Sequence, residues 1–207
     1  MMARLASSLA FVAALALAGT AAAQDAAPDA EEAPPPSPPG DTLSLGEEIP
    51  GGDEEGEAYL ADTFGEWELR CIRMPDGSDP CQLYQLLQDE EGNSVAEISM
   101  FGLPPGGEAA AGATIITPLE TLLTQQITLR VDSGQAKRYP FTWCAVIGCI
   151  ARIGFTAAEV EAFRRGNVVR MSIVPVAAPD QTVSLDISLI GFTAGFAAMN
   201  EANAVAE

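Results

Sequence analysis

Residues 182–189 read Thr-Val-Ser-Leu-Asp-Ile-Ser-Leu. Val183, Leu185, Ile187 and Leu189 alternate here with Thr182, Ser184, Asp186 and Ser188, a period of two without a break. A strand sends successive side chains to opposite faces, so this stretch has one apolar and one polar side. That is the pattern of an antiparallel sheet with a single buried face. It recurs upstream. Val169, Met171 and Ile173 alternate with Arg170 and Ser172, Ile127, Leu129 and Val131 with Thr128, Arg130 and Asp132, and Trp67, Leu69 and Cys71 with Glu66, Glu68 and Arg70. Turn chemistry separates these runs at Pro75-Asp76-Gly77, Glu91-Gly92-Asn93 and Asp132-Ser133-Gly134. Short strands joined in this way predict a mainly β domain, either an antiparallel β-sandwich or a barrel-like sheet.

Two segments break the period. Residues 157–165 follow Thr156, with Glu159 three positions after it, which is the signature of a capping box. Arg164 and Arg165 complement the negative helix end, Gly166 reads as the C′ stop, and Val160 and Phe163 point to the core. A second helix is predicted over residues 192–202, where Phe192, Phe196 and Met199 form a stripe for packing on the sheet.

Outward from this domain, which the sequence bounds at residues 63–207, the composition shifts. Residues 24–62 carry twelve acidic side chains, seven prolines and no Lys or Arg. So little apolar surface cannot offset the entropy of ordering the chain, and the segment reads as a disordered, self-repelling, solvated leader. Residues 1–23 read as a signal peptide: Arg4, then the apolar run Leu9 to Ala18, then the small residues Ala21-Ala22-Ala23 before Gln24. The apolar run is shorter than the roughly 20 residues a membrane-spanning helix needs, so no transmembrane helix is expected after cleavage. The expected location is periplasmic or secreted.

The whole chain has 207 residues with 29 acidic and 10 basic side chains, a net charge of −19, and no histidine. Without imidazole there is no Ser-His-Asp or Cys-His catalysis and no histidine-ligated metal. The acidity argues against nucleic acid as a partner, since that needs clustered Lys and Arg.

Cys71, Cys81, Cys144 and Cys149 are an even set in a chain read as exported, so disulfides are expected. A hairpin turning at Asp76 opposes residues whose numbers sum to 152, which aligns Cys71 with Cys81 and Leu69 with Leu83. Directly opposed residues lie about 4.5–5.5 Å apart, within disulfide reach. Cys144 and Cys149 flank a loop short enough for a tight hairpin. Cross-pairing between the two sets is the alternative. The spacings fit neither a four-cysteine zinc site nor a C-x-x-C redox pair, and no cofactor is predicted.

Other constellations are weaker. Asp89, Glu90 and Glu91 read as a charged hairpin tip before a calcium site. Glu66 and Glu68 share a strand face and, with Asp132, are the carboxylates a glycan hydrolase would use. Lys137 and Arg138 are the one adjacent basic pair in the sheet region, a candidate interaction spot or a partner for carboxylates.

Trp67, Cys71 and Cys81-Gln82, then Gly102-Leu103-Pro104-Pro105-Gly106, Val131-Asp132-Ser133-Gly134, Tyr139-Pro140-Phe141-Thr142-Trp143-Cys144, Gly148-Cys149-Ile150-Ala151 and Ser188-Leu189-Ile190-Gly191-Phe192 together resemble the invasion associated locus B family. The resemblance implies a small exported β-rich domain of alphaproteobacteria with two disulfides and no established catalytic residues, named for a pathogen locus linked to red-cell invasion. The acidic leader is additional to it. The expected function is a disulfide-stabilised binding or interaction module of the periplasm or cell envelope, host-interaction or virulence-associated by resemblance, and not an enzyme. A carboxylate-based hydrolase of envelope glycans is the alternative.

Overall fold

A computed structural model describes residues 56–205. The stretch read as a signal peptide, residues 1–23, and the leader as far as residue 55 lie outside the described residues. Eleven strands and two helices follow one another from there.

The first five strands, β1 (Ala58–Phe64), β2 (Trp67–Ile72), β3 (Cys81–Gln88), β4 (Ser94–Gly102) and β5 (Ala111–Thr117), form an antiparallel meander. After β6 (Ile127–Val131), β7 (Lys137–Tyr139) and β8 (Trp143–Ala145), strand β9 (Gly148–Phe155) returns to pair with β5. Helix α1 (Ala157–Arg165), β10 (Val168–Ile173), β11 (Val183–Ser188) and helix α2 (Phe192–Val205) complete the domain. A seven-stranded sheet has the order β1-β2-β3-β4-β5-β9-β8, and a four-stranded sheet the order β11-β10-β6-β7. Every neighbouring pair is antiparallel. The sandwich alternative is therefore the one realised.

The apolar positions that alternate in the sequence are the core. Trp67, Leu83, Ile98, Met100 and Ile115 from the larger sheet meet Ile127, Leu129, Met171, Leu185 and Ile187 from the smaller. The inner face of the larger sheet also receives α2, whose Phe192, Phe196 and Met199 are buried as the stripe predicts. Where the sheets converge, the Trp67 indole N–H donates to the Ser188 carbonyl at 2.8 Å. The Gln85 amide does the same at 3.2 Å, while the Ser188 N–H donates to Gln85 Oε1 at 2.8 Å. Gln85 is buried, and its primary amide completes at Ser188 the pairing that a further strand would supply.

Two expectations need correction. The domain starts before residue 63, because β1 takes in residues 58–62, which composition assigned to the leader. Its largely exposed sequence, directly after an acidic run, hides a strand held by pairing with β2 and by the Tyr59 hydroxyl, which donates to Asp79 at 2.8 Å. A register shift between Leu60 and Asp62 also breaks the alternation that would have marked it. The second concerns Gly166, which ends α1 as read, its N–H donating to the Ala162 carbonyl, but with φ −81° and ψ 173°, extended rather than left-handed. The neighbours approach closely there: a Cβ would lie 2.8 Å from Val131 Cγ1 and 2.9 Å from Leu189 Cδ1, which would have to move aside.

Candidate functional site

The register of β2 with β3 pairs Leu69 with Leu83 and Cys71 with Cys81, and the Cys71–Cys81 disulfide forms across a Cα–Cα distance of 4.0 Å. Strands β8 and β9 place Cys144 opposite Cys149, joined by a second disulfide at the same Cα–Cα distance. The hairpin pairing holds and the cross-pairing does not.

Lys137 and Arg138 do not form one spot. Strand alternation sends them to opposite faces, Lys137 across from Leu129 and Arg138 across from Thr128. The Lys137 ammonium reaches inward to Glu159 Oε1 at 2.8 Å, and the Tyr139 hydroxyl donates to the same oxygen at 2.8 Å. Glu159 Oε2 accepts from the Thr156 N–H at 2.9 Å, which closes the capping box of α1. Burial pushes the Glu159 carboxyl up, but hydrogen bonds from Lys137, Thr156 and Tyr139 outweigh it and hold the group at about 2. Burial and Glu159 together raise the Tyr139 phenol. Because the folded-state pKa of Glu159 is depressed, its contribution is present above its ordinary value of 4.5 and is lost as pH falls from there toward 2. Glu159→Gln should cost about 2 kcal/mol at neutral pH, a figure discounted for the exposed Lys137 partner. It should also flatten the dependence of the urea midpoint on pH across that window. An unchanged dependence would refute the assignment.

The carboxylates proposed for hydrolysis are not brought together. Glu68 Oε2 is paired with Arg70 Nη2 at 2.7 Å on β2. Asp132, at the end of β6 in the other sheet, accepts from the backbone N–H groups of Asn167 and Val168 at 3.2 Å. Glu66 is exposed in the β1–β2 turn. Asp89 is likewise committed to its own turn: it accepts from the N–H of Asn93 at 2.8 Å and of Glu91 at 3.0 Å, and the Asn93 hydrogen bonds hold its carboxyl below the usual range.

What the sequence reading passed over is the tip of the β8–β9 hairpin. Its two-residue loop is Val146-Ile147; neither residue takes the left-handed φ of a primed hairpin turn, and the positive φ falls on Gly148, at 138°. Val146 is 97% exposed and Ile147 70%. Two β-branched apolar residues held in solvent run against the usual burial of such side chains, and the adjacent disulfide fixes the hairpin they cap. The signal was available as the apolar run Ala145 to Ile147 between the two cysteines.

The tip continues an apolar strip on the outer face of the larger sheet. Register places Leu86, Glu97, Ile116, Ile150 and Trp143 in one cross-strand row over β3, β4, β5, β9 and β8. Leu86 and Trp143 are each 46% exposed. Between the tip and the β3–β4 turn lies an open groove of about 460 Å³, lined by Leu86, Val95, Glu97, Ile116, Pro118 and Ile147. Apolar side chains clustered on a rigid scaffold are suited to burying a partner surface.

Comparison with known proteins places this geometry in context. A family model described as "Invasion associated locus B (IalB) protein" matches residues 67–200. Two invasion protein B homologs of Brucella abortus, from strain 2308 and from biovar 1 strain 9-941, are each 23% identical over 139 residues. Each match covers 67% of this chain and 78% of the relative. The crystal structure of invasion associated protein B from Bartonella henselae aligns with a TM-score of 0.59 at 21% identity, covering 69% of this chain and 97% of that one. At that identity the likeness shows the fold alone.

Proposed function

The chain belongs to the invasion associated locus B family, and on that premise we propose that it is an exported binding module of the periplasm or cell surface that engages a protein partner through the β8–β9 hairpin tip. The names of its relatives extend the reading to association with invasion. Export is supported by the signal-like residues 1–23 and by two disulfides, which persist in oxidising compartments.

The observation that carries the binding role is the Val146-Ile147 tip, exposed and apolar where a purely structural turn would be polar. Burying one such side chain contributes roughly 1.5–3 kcal/mol. Val146→Ser combined with Ile147→Ser should therefore weaken retention of an envelope partner by roughly 30-fold or more. Exposed substitutions of this kind shift stability by only about ±0.5 kcal/mol, so the melting temperature should stay put. The measurement is affinity capture from the native host's envelope fraction with wild-type and doubly substituted protein beginning at Gln24. Equal recovery by both would refute the assignment of the tip. Free, alkylatable thiols in protein isolated from its own cells would refute export to an oxidising space.

A further inference from the structure

We propose that the groove beside the hairpin tip takes an extended partner segment in which aliphatic side chains alternate with Lys or Arg. The inference rests on the binding-module reading and specifies its partner.

The apolar half of the argument is the strip Leu86, Ile116 and Ile147, whose burial favours aliphatic side chains. The charged half is the distribution of carboxylates around it. Glu97 sits in the groove wall, with Oε2 accepting from the Tyr84 hydroxyl at 2.9 Å. Glu120 is exposed two residues beyond Pro118, and Glu91 is exposed in the turn joining β3 to β4. Glu90, its neighbour, lies in the field of Arg170 instead. On the same face Arg70 is already held by Glu68 and stacked on Tyr84, 3.3 Å from the ring centroid. Arg152 stands one row away, opposite Thr114. The groove is thus apolar at its floor and carries the Glu97 carboxylate in its wall, with Glu91 and Glu120 exposed on the segments that flank it, which matches a segment carrying both aliphatic and cationic groups.

The alternatives fit less well. A second copy would bring the same carboxylates against one another. A stable interface also buries roughly 800 Å² per partner, more than the few exposed apolar side chains Trp143, Val146, Ile147 and Leu86 supply. A lipid surface would have to accept Glu97 and Glu120 at its interface, with repulsion from any anionic headgroup.

The reporter is built in. Of the two tryptophans Trp67 is fully buried, so Trp143 emission reads the outer face. The probes are capped peptides of about ten residues, enough when extended to cross the strands of the groove. One alternates Lys with Val, a second Glu with Val and a third Lys with Ser. The Lys–Val peptide should blue-shift Trp143, and its binding should weaken about tenfold between roughly 0.05 and 0.5 M salt. The other two should bind at least about tenfold more weakly, as should the Lys–Val peptide to the Leu86→Ser, Ile147→Ser protein. Glu97→Gln with Glu120→Gln should remove most of the salt dependence.

Equal binding of the Glu–Val peptide, indifference to the groove substitutions, or no response to the Lys–Val peptide would overturn the proposal. So would a blue shift on adding zwitterionic vesicles alone, which would identify a lipid surface, or self-association abolished by Ile147→Ser, which would identify a second copy. Loss of envelope capture in the tip variant with no peptide response would defeat this inference and leave the binding-module reading standing. Capture indifferent to the tip would defeat that reading instead.

Discussion

Gly191→Ala is expected to lower the melting temperature by about 10 °C, within a range of roughly 4–20 °C. Gly191 has φ +86°, and a Cβ there would run into the carbonyl carbon and oxygen of Phe64 and come within 2.8 Å of the Gly65 nitrogen. All three are backbone atoms of the β1–β2 turn, so no side-chain rotation relieves the clash. The position is fixed from both sides. Glu66 N–H donates to the neighbouring Ile190 carbonyl at 3.2 Å, and Gly191's own carbonyl accepts from Gly195 at 2.9 Å as α2 begins. A left-handed φ costs a residue with a Cβ about 1–2 kcal/mol. Displacing a packed turn adds roughly 1–3 kcal/mol. For a domain of this size each kcal/mol lowers the melting temperature by about 2–4 °C. Gly107→Ala is the control, since its nearest neighbour would be an oxygen at 3.6 Å and its φ is not left-handed. A thermal melt by circular dichroism that shows Gly191→Ala within a few degrees of wild type would refute this account of the junction.

The strands that the sequence reveals are those whose two faces differ. Residues 183–189 alternate without interruption, and both helices carry their own local signals, a capping box at Thr156 and a stripe at Phe192, Phe196 and Met199. The Cys71–Cys81 register follows from one turn because hairpin geometry is local. Features set by distant partners stay hidden. Gln85 is polar at an inward position of β3, and the reason is Ser188, more than a hundred residues away along the chain. Strand β1 is exposed and follows an acidic run, so composition counts its first residues as leader until β2 is beside it. Lys137 and Arg138 look like one basic spot until strand alternation separates them. The groove depends on the order β3-β4-β5-β9-β8, since only that order aligns Leu86 with Ile116 and Trp143. The Val146-Ile147 tip differs in kind: its apolar run between two cysteines is legible, but only the adjacent strands make it part of a surface.

Trp67→Ala should destabilise the domain by about 4 kcal/mol, and Trp67→Phe by only about 1–2 kcal/mol. The indole is fully buried, tilted against Phe192 at a centroid distance of 5.6 Å, and tied to the Ser188 carbonyl. Alanine removes the ring and leaves a cavity between the sheets, at roughly 3–5 kcal/mol for a substitution of this size. Phenylalanine keeps most of the apolar contact and loses the N–H. Because Gln85 still donates to the Ser188 oxygen, no buried acceptor is stranded, and the cost is the modest one of a replaced hydrogen bond and a smaller ring. Urea midpoints for the two variants would measure the difference; equal midpoints would mean that the indole does not hold the sheets together. The phenylalanine variant also bears on function. Trp67 packs on the inner face of β2, whereas the groove lies on the outer face of β3, β4 and β5, so peptide binding should be unchanged in Trp67→Phe. With Trp143 then the sole tryptophan, any blue shift on adding the Lys–Val peptide comes from the outer face alone. A variant that folds but loses the response would show that the groove depends on how the two sheets are joined, and that its apolar strip is not an independent surface.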